Sequence, residues 1–173
     1  MSTLENVQVV KDFFAAMGRG DMPGLLALSA EDIEWIIPGE DWPLAGTHRG
    51  HAGLTDLLQK SELLETSTEP LEFVGQGDRV LVVGFASGRI IATDKTFEDH
   101  WVFAITVRNG KLTNIREYID TQALARASEM DASPIGNEEI IRKLYAVGEG
   151  PGMDTEKFVS MFSDEGYMLD MAS

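Results

Sequence analysis

From residue 71 onward the chain takes on a period of two. Apolar and polar residues alternate through residues 71–74, 79–92, 96–107 and 111–120. Short turn signals separate the runs: Gly77-Asp78, Thr93-Asp94-Lys95 and Asn109-Gly110. Successive side chains of a strand point to opposite faces, so this pattern predicts an antiparallel meander with one buried face. Asn109-Gly110 is the strongest of the turns, because both residues tolerate positive φ.

The preceding sequence supplies the elements that cover that face. Leu4, Val7, Val10, Phe13, Phe14 and Met17 recur at spacings of three and four and predict a helix, stopped by Gly18 and Gly20. Asp21 can cap a second, short helix, with Pro23 in its first turn and Leu25, Leu26 and Leu28 inward. Ile33, Trp35 and Ile37 share one face of a strand over residues 32–37, which Pro38-Gly39 ends. A loop rich in Gly, Pro and Trp follows over residues 40–50. Next comes a helix of about twelve residues through Leu54, Leu57, Leu58 and Leu63. Helices placed before a meander imply an α+β fold, with the helices packed on one face of a strongly curved antiparallel sheet.

The 173 residues exceed the needs of one such domain. Residues 1–127 form the expected domain and 128–136 a linker. In residues 137–173, Ile140-Ile-Arg-Lys-Leu-Tyr-Ala146 echoes Val9-Val-Lys-Asp-Phe-Phe-Ala15, and the segment from Asp154 echoes the one from Asp21. This predicts the start of a second copy of the same fold, helices plus a strand stub; a C-terminal helical extension of accidental likeness is the alternative. Its Leu144, Tyr145 and Phe158 need cover from the first domain or from another subunit.

Composition excludes several classes. There is no cysteine, hence no disulfide framework and no thiolate metal site. Asp and Glu number 29 against 14 Lys and Arg, for a net charge of −15. That balance opposes binding to nucleic acid and to anionic membranes. No apolar run is long enough for a membrane span, and Met1-Ser-Thr-Leu-Glu5 carries no signal-peptide pattern, so a cytoplasmic protein is expected.

The last strand holds the most informative residue. Alternation places Ile115, Glu117 and Ile119 on the inner face. A carboxylate between two isoleucines loses solvation, and its pKa should rise toward neutrality, as a general acid or base requires. The competing reading pairs Glu117 with an Arg or His, or places it on a subunit interface. Trp101 and Phe103 share a face that Asp99 begins, and with Trp35 they favour a large apolar cavity. Gly84, Ala86 and Gly88 leave room along their strand, either for that pocket or for bends in the sheet. The loop Trp42-Pro-Leu-Ala-Gly-Thr-His-Arg-Gly50 offers His48 to move a proton and Arg49 to bind a carboxylate, against the plainer reading of surface turn chemistry. His48, His51 and His100 lack the spacing of a metal motif, and no phosphate loop or dinucleotide fingerprint occurs, so neither metal nor cofactor is expected.

Ile33-Glu-Trp35, Pro43-Leu-Ala-Gly-Thr-His-Arg-Gly50, Phe103-Ala-Ile-Thr-Val-Arg-Asn-Gly-Lys111 and Ile115-Arg-Glu-Tyr-Ile-Asp120, in this order of elements, resemble the SnoaL-like branch of the NTF2-like superfamily. The resemblance implies a cone-shaped α+β barrel around a deep apolar pocket, and a homodimer formed through the sheet, with the C-terminal extension as a further contact. Its members include ketosteroid isomerases, polyketide cyclases, epoxide hydrolases, scytalone-dehydratase-like enzymes and non-catalytic binders. Where ketosteroid isomerases carry a tyrosine and two aspartates, the resemblance places Phe13, Trp35 and Phe103, so that machinery is missing. Glu117 matches an aspartate of the epoxide-hydrolase-like members. Their Arg-x-Asp pair falls near Gly84 and Ala86, which cannot serve. Cyclases of the SnoaL type use an acid near the last strand, which Glu117 or Asp120 could supply, with His48 or His100 as partner.

The expectation is a pocket for a small hydrophobic ligand. Phe13, Trp35, Trp42, Arg49, Trp101 and Phe103 would bind it, and Glu117 with His48 would catalyse isomerisation, cyclisation or hydrolysis. The alternative is a non-catalytic ligand-binding or oligomerisation module of the same fold.

Overall fold

The computed structural model describes residues 1–131, and its compact unit spans Met1–Met130. The expected second repeat over 137–173 lies outside the described residues. The expected linker begins inside a helix, since Ser128 is the last residue of one.

Ten elements follow in order. Helix α1 (Thr3–Gly18) and helix α2 (Met22–Leu28) lead into strand β1 (Ser29–Ile37) and a short β2 (Gly46–Arg49). Helix α3 (Gly50–Ser61) then precedes β3 (Leu64–Gln76), β4 (Arg79–Ile90), β5 (Lys95–Arg108), β6 (Lys111–Tyr118) and helix α4 (Thr121–Ser128). Local chemistry sets the boundaries. Ser2 and Glu5 form a reciprocal capping box at the start of α1. Asp21 accepts from the Gly24 amide at 2.9 Å, and Asp120 from the Ala123 amide at 3.0 Å, so carboxylates cap both α2 and α4. Asn109 and Gly110 both take positive φ, as a two-residue hairpin between β5 and β6 requires.

The six strands form one curved, open sheet in the order β2-β1-β6-β5-β4-β3. The α+β architecture is the expected one, with two differences: the sheet does not close into a barrel, and it is mixed. β1 runs parallel to β6, pairing Trp35 with Ile115, while every other neighbouring pair is antiparallel. Parallel neighbours need a long crossover, and here it includes α3 and four strands. Register shifts in β1, β3 and β5 add local twist, and Pro70 sits at one of them on edge strand β3, where no ladder donor is lost.

The helices cover the concave face. Val10 and Phe13 of α1, Leu25 of α2 and Leu54 of α3 meet Val80, Val82, Ile105 and Ile115 of the sheet in one fully buried core. Leu4 and Leu63, both expected inward, are 82% and 54% exposed. Leu4 lies in the first turn of α1, and Leu63 falls beyond the end of α3. Among the described residues no helix is long and apolar enough to cross a membrane.

Gly84 and Gly88 have a different use from the one expected. A Cβ on Gly84 would fall inside the indole of Trp101, its partner across β4 and β5, and one on Gly88 would meet Phe97 Cζ at 2.8 Å. The missing side chains are seats for rings, and the space they leave is filled.

Candidate functional site

Between the helices and the concave face lies a cavity of about 700 Å³. Alternation along β5 sends Phe97, Asp99, Trp101 and Phe103 into it, and β6 contributes Glu117. Trp35 comes from β1, Trp42 from the loop before β2, and Phe14 from α1. The rings support one another. Trp101 stacks on Phe14 with parallel planes at 5.7 Å, and its centroid is 4.5 Å from that of Phe103. Trp42 meets Phe97 edge-on at 5.6 Å.

Glu117 is partly exposed and lines this cavity. The Trp35 indole donates a hydrogen bond from Nε1 to Glu117 Oε1 at 2.7 Å. The contact follows from the parallel pairing, since Trp35 opposes Ile115 and Glu117 is the next inward residue of β6. Burial among the rings pushes the Glu117 carboxyl up to about 8; the Trp35 N–H restrains the rise, and the Asp99 charge adds to it. Asp99 is buried, and its Oδ1 accepts the Asp120 amide at 2.8 Å. Burial raises its pKa as well. The Asp120 amide opposes that rise, the Asp120 carboxylate adds to it, and His100 lowers it.

Four residues expected at the site, Trp35, Trp42, Trp101 and Phe103, line the cavity together with Glu117. Phe13 is fully buried behind the wall, 5.8 Å from the Trp35 ring. His48 and Arg49 are outside the lining. His48 lies on β2 with Nε2 at 2.9 Å from the Leu44 carbonyl, while Arg49 is exposed and pairs with Glu34 at 3.1 Å. His100 lies on the outer face beside Phe85, and Asp120 acts through its backbone amide and as the α4 cap. Alternation puts Arg49 and His100 on the outer face, whereas His48, opposite Trp35, is inward on edge strand β2 and lies beyond the cavity lining.

Asp99, Phe14 and Phe97 belong to the lining and were not singled out by the sequence. The signal for Asp99 was present: it opens the alternating face of Trp101 and Phe103. Glu117 and Asp99 therefore share one largely apolar chamber, the first held by an indole and the second by a backbone amide. Such an arrangement can donate a proton, accept one, or orient a polar group of a bound molecule. Among the described residues, no three His, Asp or Glu side chains are placed to hold a metal ion.

The comparisons agree with this architecture. The model of the SnoaL-like domain matches residues 10–115. The crystal structure of an NTF2-like protein from Burkholderia xenovorans LB400 is 76% identical, with a TM-score of 0.71 over 75% of this chain and 99% of that one. TerC, in a structure co-crystallised with polyporic acid, is 30% identical, with a TM-score of 0.65 over 72% of this chain and 98% of its own. An uncharacterised protein of Mycobacterium tuberculosis is 28% identical over 115 residues, 65% of this chain and 87% of that protein. With the sheet, the concave cavity and this span of matched sequence in place, the chain belongs to the SnoaL-like domain family of the NTF2-like superfamily.

Proposed function

We propose that this protein transfers protons to and from a small, largely apolar molecule held in the cavity, in an isomerisation, cyclisation or hydrolysis. The observation that carries the reading is Glu117: a carboxyl titrating at about 8 inside an aromatic chamber, with Trp35 Nε1 fixed at 2.7 Å. At neutral pH Glu117 is mostly protonated and acts as the acid. After donation, the Trp35 N–H stabilises the carboxylate that remains. Asp99 is the complementary acceptor: burial raises its pKa, and the amide of Asp120, bonded to Oδ1, opposes that rise and holds the carboxyl in place. Unequal surroundings divide the two roles between chemically similar groups. The co-crystallisation of TerC with polyporic acid supports a small organic ligand. The acid itself is not carried over, since among the described residues the lining has no basic side chain.

Opening of 5-nitro-1,2-benzisoxazole tests this reading without the natural substrate. A carboxylate removes the ring C–H proton, the N–O bond breaks, and a cyanophenolate forms. With Asp99 taking that proton and Glu117 donating to the leaving oxygen, the protein should accelerate the reaction, with a rate that falls as pH rises past about 8 and that drops by about a hundredfold or more in Asp99→Asn. Compound that binds without opening would refute proton transfer and leave the non-catalytic binding module.

The homodimer through the sheet is part of the same proposal. On the outer face Val83, Val102 and Tyr118 oppose one another across β4, β5 and β6, and Val83 and Tyr118 are exposed. Such an apolar row suits an isologous contact. Val83→Glu should halve the mass in solution; a wild-type protein that sediments as a monomer would exclude the contact.

A further inference from the structure

Every ionisable side chain lining the cavity, among the described residues, is acidic: Glu62 just after α3, Asp99 on β5 and Glu117 on β6. Helices α1 and α2 and strands β1, β3 and β4 bring only uncharged side chains to the wall. Asp120, beyond β6, adds a fourth carboxylate near enough to act on Asp99. The basic groups of the neighbouring strands stand elsewhere. Arg49 pairs with Glu34, Arg116 is exposed, and His100, the one basic group acting on Asp99, lies on the outer face. Trp101 Nε1 is buried without a partner and sealed from solvent, so an anion in the chamber could not reach it.

An anion entering this space would find no cationic side chain among the described lining, only uncharged polar groups such as Gln59 and Ser67 and the acids Glu62, Asp99 and Glu117, whose ionised forms repel it in surroundings that amplify the repulsion. A cation would meet the aromatic lining of Trp35, Trp42 and Phe103 together with those carboxylates. We propose that the cavity selects a small organic cation, an amine or quaternary ammonium carried on an apolar body, and rejects carboxylates and phosphates. The inference rests on this cavity being the ligand site, and it names the charge class of the ligand.

Binding of a cation favours the ionised form of Glu117, so a proton leaves as the ligand enters. Three naphthalenes of matched size test this with the 173-residue chain, read by calorimetry. One carries a trimethylammoniomethyl group, one the neopentyl group in which carbon replaces nitrogen, and one a carboxymethyl group. The ammonium should bind tightest and the carboxylate weakest. Ammonium affinity should rise by nearly tenfold from about pH 6 to about pH 7, then level off above about 8, while the neopentyl compound stays flat. Glu117→Gln should remove the rise, and Asp99→Asn should weaken the ammonium at every pH. An ammonium that binds no tighter than its carbon isostere above pH 8, including the case in which neither binds, overturns the inference. The two readings fail separately. Benzisoxazole opening without ammonium preference leaves proton transfer standing alone, and ammonium preference without opening leaves only the cation site.

Discussion

Replacing Glu117 by Gln should flatten the dependence of stability on pH, with a size set by the displaced titration. In the folded chain Glu117 titrates at about 8, against an ordinary value of 4.5. Between those values the folded state holds a proton that the unfolded state has released, so stability falls as pH rises through the window. Each unit of that window is worth about 1.4 kcal/mol. Because the ordinary carboxyl is already partly ionised at pH 5 and Glu117 is mostly ionised by pH 9, the wild type should lose about 4 kcal/mol relative to Glu117→Gln across that range. Asp99 is shifted in the same direction, mainly by its own burial, which both proteins share. The amide oxygen of Gln can still accept from Trp35 Nε1, so the two proteins should be close in stability near pH 5. Urea unfolding followed by tryptophan fluorescence, repeated at each pH unit, measures the difference directly. Parallel curves for the two proteins would show that Glu117 is solvated like an ordinary carboxyl, and the reasoning from burial to proton transfer would fail with it.

Four further outcomes follow from the same geometry. Trp35→Phe keeps a ring in the wall but removes the N–H donor, so the Glu117 midpoint, read by carbon NMR of the labelled carboxyl, should move above about 8; a fall would contradict the restraining role of the bond. Asp99→Asn removes a repelling charge and should lower that midpoint, and an unchanged value would mean that the two carboxyls do not interact. Gly84→Ala forces a methyl into the Trp101 ring and should cost about 1–3 kcal/mol in chemical denaturation, with altered tryptophan emission; wild-type stability would deny the close packing. His48→Gln should leave benzisoxazole opening unchanged, since His48 lies outside the cavity lining, and a large loss would return it to the site.

Local chemistry made much of this molecule legible in its sequence. Alternation assigned Glu117 to the inner face, Asp21 announced the α2 cap, and Asn109-Gly110 marked the hairpin between β5 and β6. Long-range partnership was the part that local patterns could not carry. Nothing in residues 29–37 states that their neighbour is β6, about eighty positions on, running parallel. Strand β2 is four residues inside a loop rich in Gly and Pro, too short to alternate visibly. The first half of β3 is a solvated edge without an apolar face, so its polar run concealed it. Gly84 and Gly88 record close approach, but the ring that approaches lies on another strand.

The same limit explains why the site looked emptier in sequence than it is in space. Position by position, Phe13, Trp35 and Phe103 read as the loss of three polar groups. Assembled, they become consecutive layers of one aromatic wall, with centroids 5.8 Å apart from Phe13 to Trp35 and 6.1 Å from Trp35 to Phe103. That wall withholds water from Glu117, and Trp35 also supplies the hydrogen bond that keeps the carboxyl from rising further. The rings that stand where the resemblance implied polar groups thus supply the surroundings that tune Glu117. Because the tuning comes mainly from desolvation, it should survive replacement of any single ring by another apolar side chain of like size, and it should fail when a wall position is made polar enough to admit water. Phe103→Leu and Phe103→Asn separate the two cases. The first should leave the Glu117 midpoint near 8 in the NMR titration, and the second should bring it down toward the ordinary carboxyl range. A midpoint that responds equally to both would assign the shift to ring contact instead of dryness, and would remove burial as the cause.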